Sequence, residues 1–349
     1  MKKVLLFPLD ENVEWLVQNK NSSSKYKIQA VSSYEADKEK LKLLQSITTV
    51  YCNEDFEKCV KKVDCVIFGE NTEGYNYEGY KKRIKIALDY KRDIYIKTID
   101  FQRLEIQNDA LIHQIQDNEV LKFDDKGKLK DIPIPIIAIL GMGEHCSKFI
   151  LQNKMKNVIE NKGYKVLAIT AGLLGLLNDM EVFPGFVFSD QISLPRKVKL
   201  INAWIYNLYK NGDYDVILLM YPSGILWIDD YEPNYFNEIP IAISNAVVAD
   251  EGVLAVYKYF DQYQDSVKDL DIICEKKYNL PIKYFVGSDW FYRVHYEKKE
   301  IEYFRDGKEE NLNYNRQGGY SYMSIKDDKK IEQMVNQILR NLEDNICMV

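Results

Sequence analysis

The sequence lacks the cysteine and histidine patterns that hold metals. It contains only three histidines and six cysteines, and neither a CxxC pair nor the CxxxCxxC spacing of iron–sulfur radical enzymes occurs. Cys52, Cys59 and Cys65 are spread over predicted strands and a helix, so we expect them to be thiols of the core. We therefore predict no metal site and no radical cluster.

Long apolar segments and concentrated positive charge are also missing. No stretch approaches the roughly 20 apolar residues of a membrane-spanning helix, and the apolar run after Lys3 is too short for a signal peptide. The formal net charge is −6 with both signs intermixed, whereas nucleic-acid-binding proteins concentrate basic residues on one face. We expect a cytoplasmic protein that binds neither a membrane nor nucleic acid.

An alternation of strands and helices fills residues 1–131. The predicted strands include Lys3–Leu9, Tyr26–Val31, Val63–Gly69 and Ile94–Ile99, with polar helices between them. This pattern predicts a doubly wound parallel sheet of the Rossmann-like α/β class. The turn after the first strand reads Pro-Leu-Asp-Glu-Asn. Because this turn is not the glycine-rich dinucleotide fingerprint, we predict no nicotinamide site.

A second α/β domain is predicted over residues 132–349. It opens at Pro133 with the strand Ile134–Leu140, after which a loop leads to Ser147 as the N-cap of a helix that ends near Gly163. Strand, glycine loop and helix form the arrangement that binds phosphate with backbone N–H groups. The predicted nucleotide- or anion-binding residues are Gly141, Gly143, Glu144, His145, Cys146, Ser147 and Lys148.

This loop departs from the standard phosphate-loop pattern. Counted back from Lys148, Met142 and Ser147 stand where glycines are required, and Phe149 replaces the hydroxyl residue that binds Mg²⁺. One interpretation is a strand-to-helix turn without a ligand; the other is a non-standard anion site for ATP or GTP with Mg²⁺. A further interpretation makes Cys146 a nucleophile of lowered pKa with His145 as its base. No catalytic residue is assigned.

The rest of the second domain offers no complete active site. The buried strand Asp215–Met220 resembles the second strand of a phosphate-loop protein, but Tyr221 follows it in place of an acid. Aromatic and charged residues alternate through Tyr284–Phe304, which predicts an antiparallel ribbon that is either a peptide-binding edge or an ordinary cover over the sheet. Lys326–Asn345 is predicted to be a closing amphipathic helix.

Four stretches resemble one known family. They read VLLFPLD, IPIIAILGMGEHCSKF, FSDQISLPRKVKLINAWI and DVILLMYPSGIL, and they are similar to the peptide maturation system proteins, which accompany cysteine-rich ribosomal peptides and their radical maturases. The resemblance implies an accessory role, with precursor peptide and maturase as partners. It implies no reaction and no catalytic residue. The second domain is also similar, more distantly, to dethiobiotin-synthetase-like phosphate-loop proteins.

Three functions remain open at this point. The first is an accessory protein of peptide maturation that binds a nucleotide or another anion. The second is a nucleotide-dependent enzyme of the ligase or kinase type, which requires an acid for Mg²⁺ near Lys148. The third is a scaffold that needs only an exposed groove or edge. The oligomeric state does not follow from the sequence.

Overall fold

In a computed structural model, the chain forms two compact units. The first comprises Met1–Glu119 and Ala171–Ser189, and the second comprises Val120–Thr170 and Asp190–Val349. The structure describes residues 1–19, 23–69, 77–97, 101, 104–114, 127–226, 237–258, 260, 264–306 and 319–346. The predicted domain boundary after residue 131 stays a prediction; the structure adds that the segment 171–189 packs with the first unit.

The first unit is built on a six-stranded parallel sheet. Its strands are β1 Lys2–Phe7, β2 Tyr26–Val31, β3 Tyr51–Cys52, β4 Cys65–Phe68, β5 Asp93–Ile96 and β6 Ile112–Gln114. They lie in the order β3-β2-β1-β4-β5-β6, and every neighbouring pair is parallel. This is the strand order of doubly wound dinucleotide-binding sheets, so the predicted Rossmann-like class is confirmed.

Two of the helices between these strands begin at a capping carboxylate. The helices are α1 Glu11–Asn19, α2 Lys38–Ile47, α3 Phe56–Val60 and α4 Tyr77–Asp89. Asp10 accepts a hydrogen bond from the N–H of Val13 at 2.7 Å, and Asp55 accepts bonds from the N–H groups of Glu57 and Lys58. One core cluster contains a group of buried aromatic residues, in which Phe7 packs against Phe56, Phe68 and Tyr80.

The second unit is built on a second parallel sheet. It contains β7 Ile136–Gly141, β8 Val166–Thr170, β10 Val216–Met220, β11 Glu251–Val256, β12 Ile282–Gly287 and β15 Ser321–Ser324. These strands lie in the order β15-β12-β11-β7-β10-β8; the short strand β9, Glu181–Val182, belongs to the segment 171–189. Every residue of β7 and β10 is buried, as expected for a parallel sheet covered on both faces.

Five helices and a ribbon complete the described part of the second unit. The helices are α5 Lys148–Asn161, α6 Leu194–Asn211, α7 Glu238–Ala246, α8 Gln264–Tyr278 and α9 Asp328–Ile346. The ribbon pairs β13 Trp290–His295 with β14 Glu300–Arg305 in antiparallel register. Gly163, at φ +95°, follows the end of α5, and its N–H bonds to the carbonyl of Glu160. Among the described residues, none of the helices combines the length and the apolar character needed to cross a bilayer.

The predicted ribbon starts too early. Residues Ile282–Gly287 form β12, which pairs in parallel with β11 and β15, so the ribbon begins only at Trp290. The charged Lys283 between apolar residues suggests the polar–apolar alternation of a half-exposed strand. The other five residues of the strand are nevertheless buried. The segment Leu173–Asn178, which the sequence leaves unplaced, is a 3₁₀ helix. A hairpin predicted over 121–129 lies largely outside the described residues.

Candidate functional site

The predicted loop joins the buried strand β7 to α5. His145 and Ser147 both have left-handed backbone conformations, at φ +57° and +54°. Ser147 stands at the predicted N-cap position but makes no side-chain capping bond, because its left-handed backbone differs from the extended conformation that caps require. The first bond of the helix runs from the N–H of Leu151 to the carbonyl of Ser147 at 3.0 Å, so Ser147 contributes its backbone carbonyl to the helix but no side-chain cap.

Lys148 folds back over the end of β7. A Cβ atom at Gly141 would lie 2.6 Å from Cδ of Lys148, so the lysine passes where only glycine leaves room. Its Nζ donates to the carbonyl of Tyr221 at 3.3 Å and to the carbonyl of Ser223. Both carbonyls follow β10, the strand beside β7. The lysine therefore connects the carboxyl ends of two neighbouring strands.

The charge environment of Lys148 differs from that of the other buried lysines. Lys156 pairs with Glu160 at 2.6 Å, Lys197 with Glu238 at 2.7 Å and Lys258 with Asp306 at 3.2 Å. Lys148 is only 9% exposed. Within the described residues its partners are two neutral carbonyls. A buried ammonium without a counter-charge is costly, so this position favours an anion.

Buried polar atoms without hydrogen-bond partners lie at the same edge of the sheet. They are the hydroxyl oxygens of Thr170 and Ser223 and Oε1 of Gln152, each unpartnered in the part of the chain that the structure describes. Thr170 ends β8, and the amide nitrogen of Gln152 bonds to the carbonyls of Ile169 and Leu218. Such groups are rare in folded proteins, and a bound ligand or water is a common reason for them.

Cys146 is not the activated thiol that one interpretation requires. It is 2% exposed, and burial raises its pKa from 9.0 to about 11. The expectation of a lowered pKa at a helix start is wrong here because the cost of burying a thiolate exceeds the favourable effects of the Gly143 N–H and Lys148. The centre of the His145 ring lies 5.0 Å from the ring centre of Trp290 and 4.4 Å from that of Tyr303. We assign no catalytic role to the pair.

Three sets of acidic residues in the second unit are candidates for a magnesium ligand. Asp215 and Asp250 lie at the opposite, amino-terminal ends of the strands, where they accept bonds from the N–H groups of Lys165 and Ile136. Asp229 and Asp230 lie outside the described residues. Glu144 remains the acid of the loop itself.

Glu144 is half-buried, and its carbonyl accepts a hydrogen bond from the hydroxyl of Tyr257 at 2.7 Å. Burial raises the pKa of Tyr257 well above its usual value, so this hydroxyl stays a donor. Over the described ranges, no three His, Cys, Asp or Glu side chains gather where a metal ion could bind. The arrangement thus offers donors to an anion more clearly than ligands to a cation.

Sequence reasoning missed the residues that hold Lys148 in place. Tyr221 and Ser223 contribute backbone carbonyls, and Thr170 contributes a hydroxyl at the next strand end. A backbone carbonyl leaves no mark in the sequence. The sequence could indicate these residues only through their positions after predicted strands, because the carboxyl ends of adjacent parallel strands share one edge of a sheet.

Comparison with known proteins bears on the fold. No protein-family model and no curated protein matches the sequence. A solved DUF1611 family protein from Anabaena variabilis is similar, with a TM-score of 0.55 and 13% identity over 82% of this chain and 87% of that one. This likeness supports the two-unit α/β fold and no particular activity.

Two nucleotide-bound structures show weaker similarity. One is an ADP-bound nucleotide-binding protein from Archaeoglobus fulgidus, with a TM-score of 0.30 and 15% identity over 57% of this chain and 86% of that one. The other is the cobyrinic acid a,c-diamide synthase of Mycobacterium smegmatis with ADP and magnesium, with a TM-score of 0.26 and 13% identity over 45% and 75%. At these TM-scores neither structure contributes to the interpretation below.

Proposed function

We propose that this protein binds a phosphate-bearing ligand, of the ATP or GTP kind, at the loop between β7 and α5. The observation that carries the proposal is the buried ammonium of Lys148, which in the described structure has two carbonyl partners and no carboxylate. An ammonium group has three donors, so one remains for a phosphate oxygen. A bound phosphate would also supply the missing counter-charge.

The start of α5 supports the same ligand. Backbone N–H groups at a helix N-terminus attract anions, and here the N-cap residue Ser147 makes no side-chain capping bond to them. In α1 of the first unit, by contrast, the carboxylate of Asp10 occupies that place. The proposal concerns the binding of phosphate groups; a magnesium ion, if one accompanies the nucleotide, would find Glu144 as the nearest acid of the loop.

Thermal unfolding with ATP, GTP, inorganic phosphate and sulfate tests this function. A ligand at about 100 times its dissociation constant stabilises the folded state by about 2.7 kcal/mol. We expect such a shift in the wild-type protein and its loss in Lys148→Met. The matched control is Lys162→Met, which removes the same charge from the exposed other end of the helix. The proposal fails if no anion shifts the transition, or if Lys148→Met responds like the wild type.

A second candidate function, the accessory role in peptide maturation, rests on the ribbon. We propose that β13 and β14 bind a cysteine-rich precursor peptide or its maturase. Tyr292 is 36% exposed and Tyr296 71% exposed, and a two-stranded ribbon has outer edges to which an extended peptide can add. Tyr292 also packs on Tyr257, with ring centres 4.9 Å apart, and so touches the residue that binds the loop.

Fluorescence anisotropy with a labelled cysteine-rich precursor peptide tests this role. We expect Tyr296→Glu and Tyr292→Glu to weaken binding, because a carboxylate replaces an aromatic contact. Val248→Glu is the control, since Val248 is a 68% exposed apolar residue of the same unit outside the ribbon. The purified protein should leave the mass of the precursor unchanged with or without Mg·ATP. A change in mass that Lys148→Ala abolishes would favour an enzyme of the ligase or kinase type instead.

A further inference from the structure

The sheet of the first unit has a topological switch point. The strand order reverses between β1 and β4, and ligands of doubly wound sheets bind at this point, beyond the carboxyl ends of the strands. Phe7 is the last residue of β1, and Gly69 directly follows β4. The hydroxyl of Tyr80 donates to the carbonyl of Gly69 at 3.0 Å, which ties α4 to this edge of the sheet.

Arg83 of α4 lies at this edge of the sheet beside two aromatic rings. Its guanidinium carbon is 4.5 Å from the ring centre of Phe7 and 4.9 Å from that of Tyr34. Tyr34 lies in the segment that follows β2. Nη1 donates to the carbonyl of Gly79 at 3.0 Å. The centres of these two rings are only 5.2 Å apart, so both rings lie on one side of the guanidinium, and its Nε–H takes no part in the bond to Gly79.

No acid neutralises this guanidinium in the described part of the chain. Arg83 is half-buried, and its Nε atom is buried without an acceptor. The hydroxyl of Tyr34 is likewise buried and unpartnered among the described residues. The nearby acid Asp37 bonds to Ser33 at 2.5 Å and pairs with Lys40. Burial lowers the pKa of Arg83, but a guanidinium stays charged in proteins.

The negative charge at the start of α1 restricts the size of the anion that this strand end can bind. In dinucleotide-binding sheets the pyrophosphate lies at the N-terminus of the first helix. Here the carboxylate of Asp10 bonds to the N–H of Val13, and Glu11 and Glu14 add negative charge to the same turn. A pyrophosphate would be repelled there, so this strand end suits a smaller anion that lies away from the start of α1.

We propose that the first unit binds a small molecule through one oxyanion group, a carboxylate or a phosphate, held by the guanidinium of Arg83 and the hydroxyl of Tyr34. The Nε edge of a guanidinium can hold two oxygens of such a group at once. The phenol would donate a further hydrogen bond. This site is independent of the loop at Lys148, and either can be absent while the other exists.

Isothermal titration of the full chain with inorganic phosphate and with citrate tests the proposal. The measurements use the Lys148→Met protein, so that binding at the loop does not contribute. We expect one binding site for at least one probe, and an affinity at least about tenfold lower when Arg83→Gln is added, because a hydrogen-bonded charge pair is lost. The probe that binds more tightly distinguishes a phosphate ligand from a carboxylate ligand.

Arg92→Gln is the matched control. Arg92 lies in the same unit, and its Nε donates to the carbonyl of Val60 at 3.3 Å, so its loss should leave the affinity unchanged. If Arg83→Gln has no cooperative unfolding transition, the isosteric Tyr34→Phe takes its place and should weaken binding by about threefold or more. The proposal is overturned if neither probe binds to the Lys148→Met protein. It is equally overturned if the tested variant, Arg83→Gln or Tyr34→Phe, binds like its parent.

Discussion

The two sheets present different chemistry at equivalent places. In both units a buried parallel strand ends at a loop that opens a helix. In the first unit Asp10 caps α1 with a carboxylate, whereas in the second the N-cap residue Ser147 makes no side-chain capping bond and α5 begins at the buried Lys148. The same topology therefore places a carboxylate at one helix start and a buried ammonium at the other. Local charge, and not the fold, distinguishes the two helix starts.

The largest expected loss of stability comes from removing the carboxylate that forms an ion pair with a buried lysine. Lys258 is 8% exposed and forms an ion pair with Asp306 at 3.2 Å. We expect Asp306→Ala to destabilise the protein by about 3 kcal/mol, because it leaves a buried charge without its partner. Chemical denaturation measures the change. Lys148→Met should cost far less, since it removes a charge that has no carboxylate partner among the described residues; an equal loss in both variants would contradict the comparison.

Gly141→Ala should be the next most damaging change. The new methyl group would lie 2.6 Å from Cδ of Lys148, and overpacking of this kind costs about 1–3 kcal/mol. We expect reduced stability together with loss of the phosphate-induced thermal shift. Gly127→Ala is the control, because a Cβ there meets no atom within 4 Å. Normal phosphate binding by Gly141→Ala would show that the position of Lys148 is unimportant.

Asp10→Ala should reduce stability by about 1 kcal/mol, the usual value of a helix cap. The bond from Val13 N–H to the carboxylate would be lost, and the start of α1 would then resemble that of α5. Ser147→Ala should cost less, because Ser147 makes no side-chain capping bond. Urea unfolding of the two variants compares them directly, and a larger loss for Ser147→Ala would reverse the distinction between the two helix starts.

The smallest effect concerns alkaline pH. The folded state raises the pKa of Cys146 from 9.0 to about 11, so the unfolded state loses this proton first as pH rises. The contribution of Cys146 is complete below pH 9 and is lost between about pH 9 and pH 11, amounting to less than about 1 kcal/mol by pH 9.5. The free energy of unfolding should therefore fall more steeply with pH in the wild type than in Cys146→Ala. Parallel profiles would contradict the burial argument.

Buried thiols show that the two units treat cysteine alike. Burial raises the pKa of Cys59 and of Cys65 in the first unit to about 12, as it raises that of Cys146 in the second. The prediction of core thiols in the first unit is confirmed, since these cysteines are free and buried. The interpretation of Cys146 as a reactive group was wrong because sequence position alone does not reveal how far a loop is covered.

Much of the fold was predictable because it depends on local patterns. The strand before Gly141, the helix that Gly163 ends and the closing helix all lie within a few residues of their predicted positions. Apolar runs, glycine at a left-handed position and amphipathic periodicity act over short distances. The strand β12 was assigned to the ribbon because its neighbours β11 and β15 lie far away in sequence.

The sequence by itself determined the α/β class, the position of the loop at Gly141 and the presence of a lysine at the start of α5. Only the tertiary structure decided that Lys148 is buried against the carbonyls of Tyr221 and Ser223, and that Arg83 stacks on Phe7. The reason is physical: secondary structure follows from neighbouring residues, whereas burial and the pairing of charges depend on groups that only the folded chain brings together.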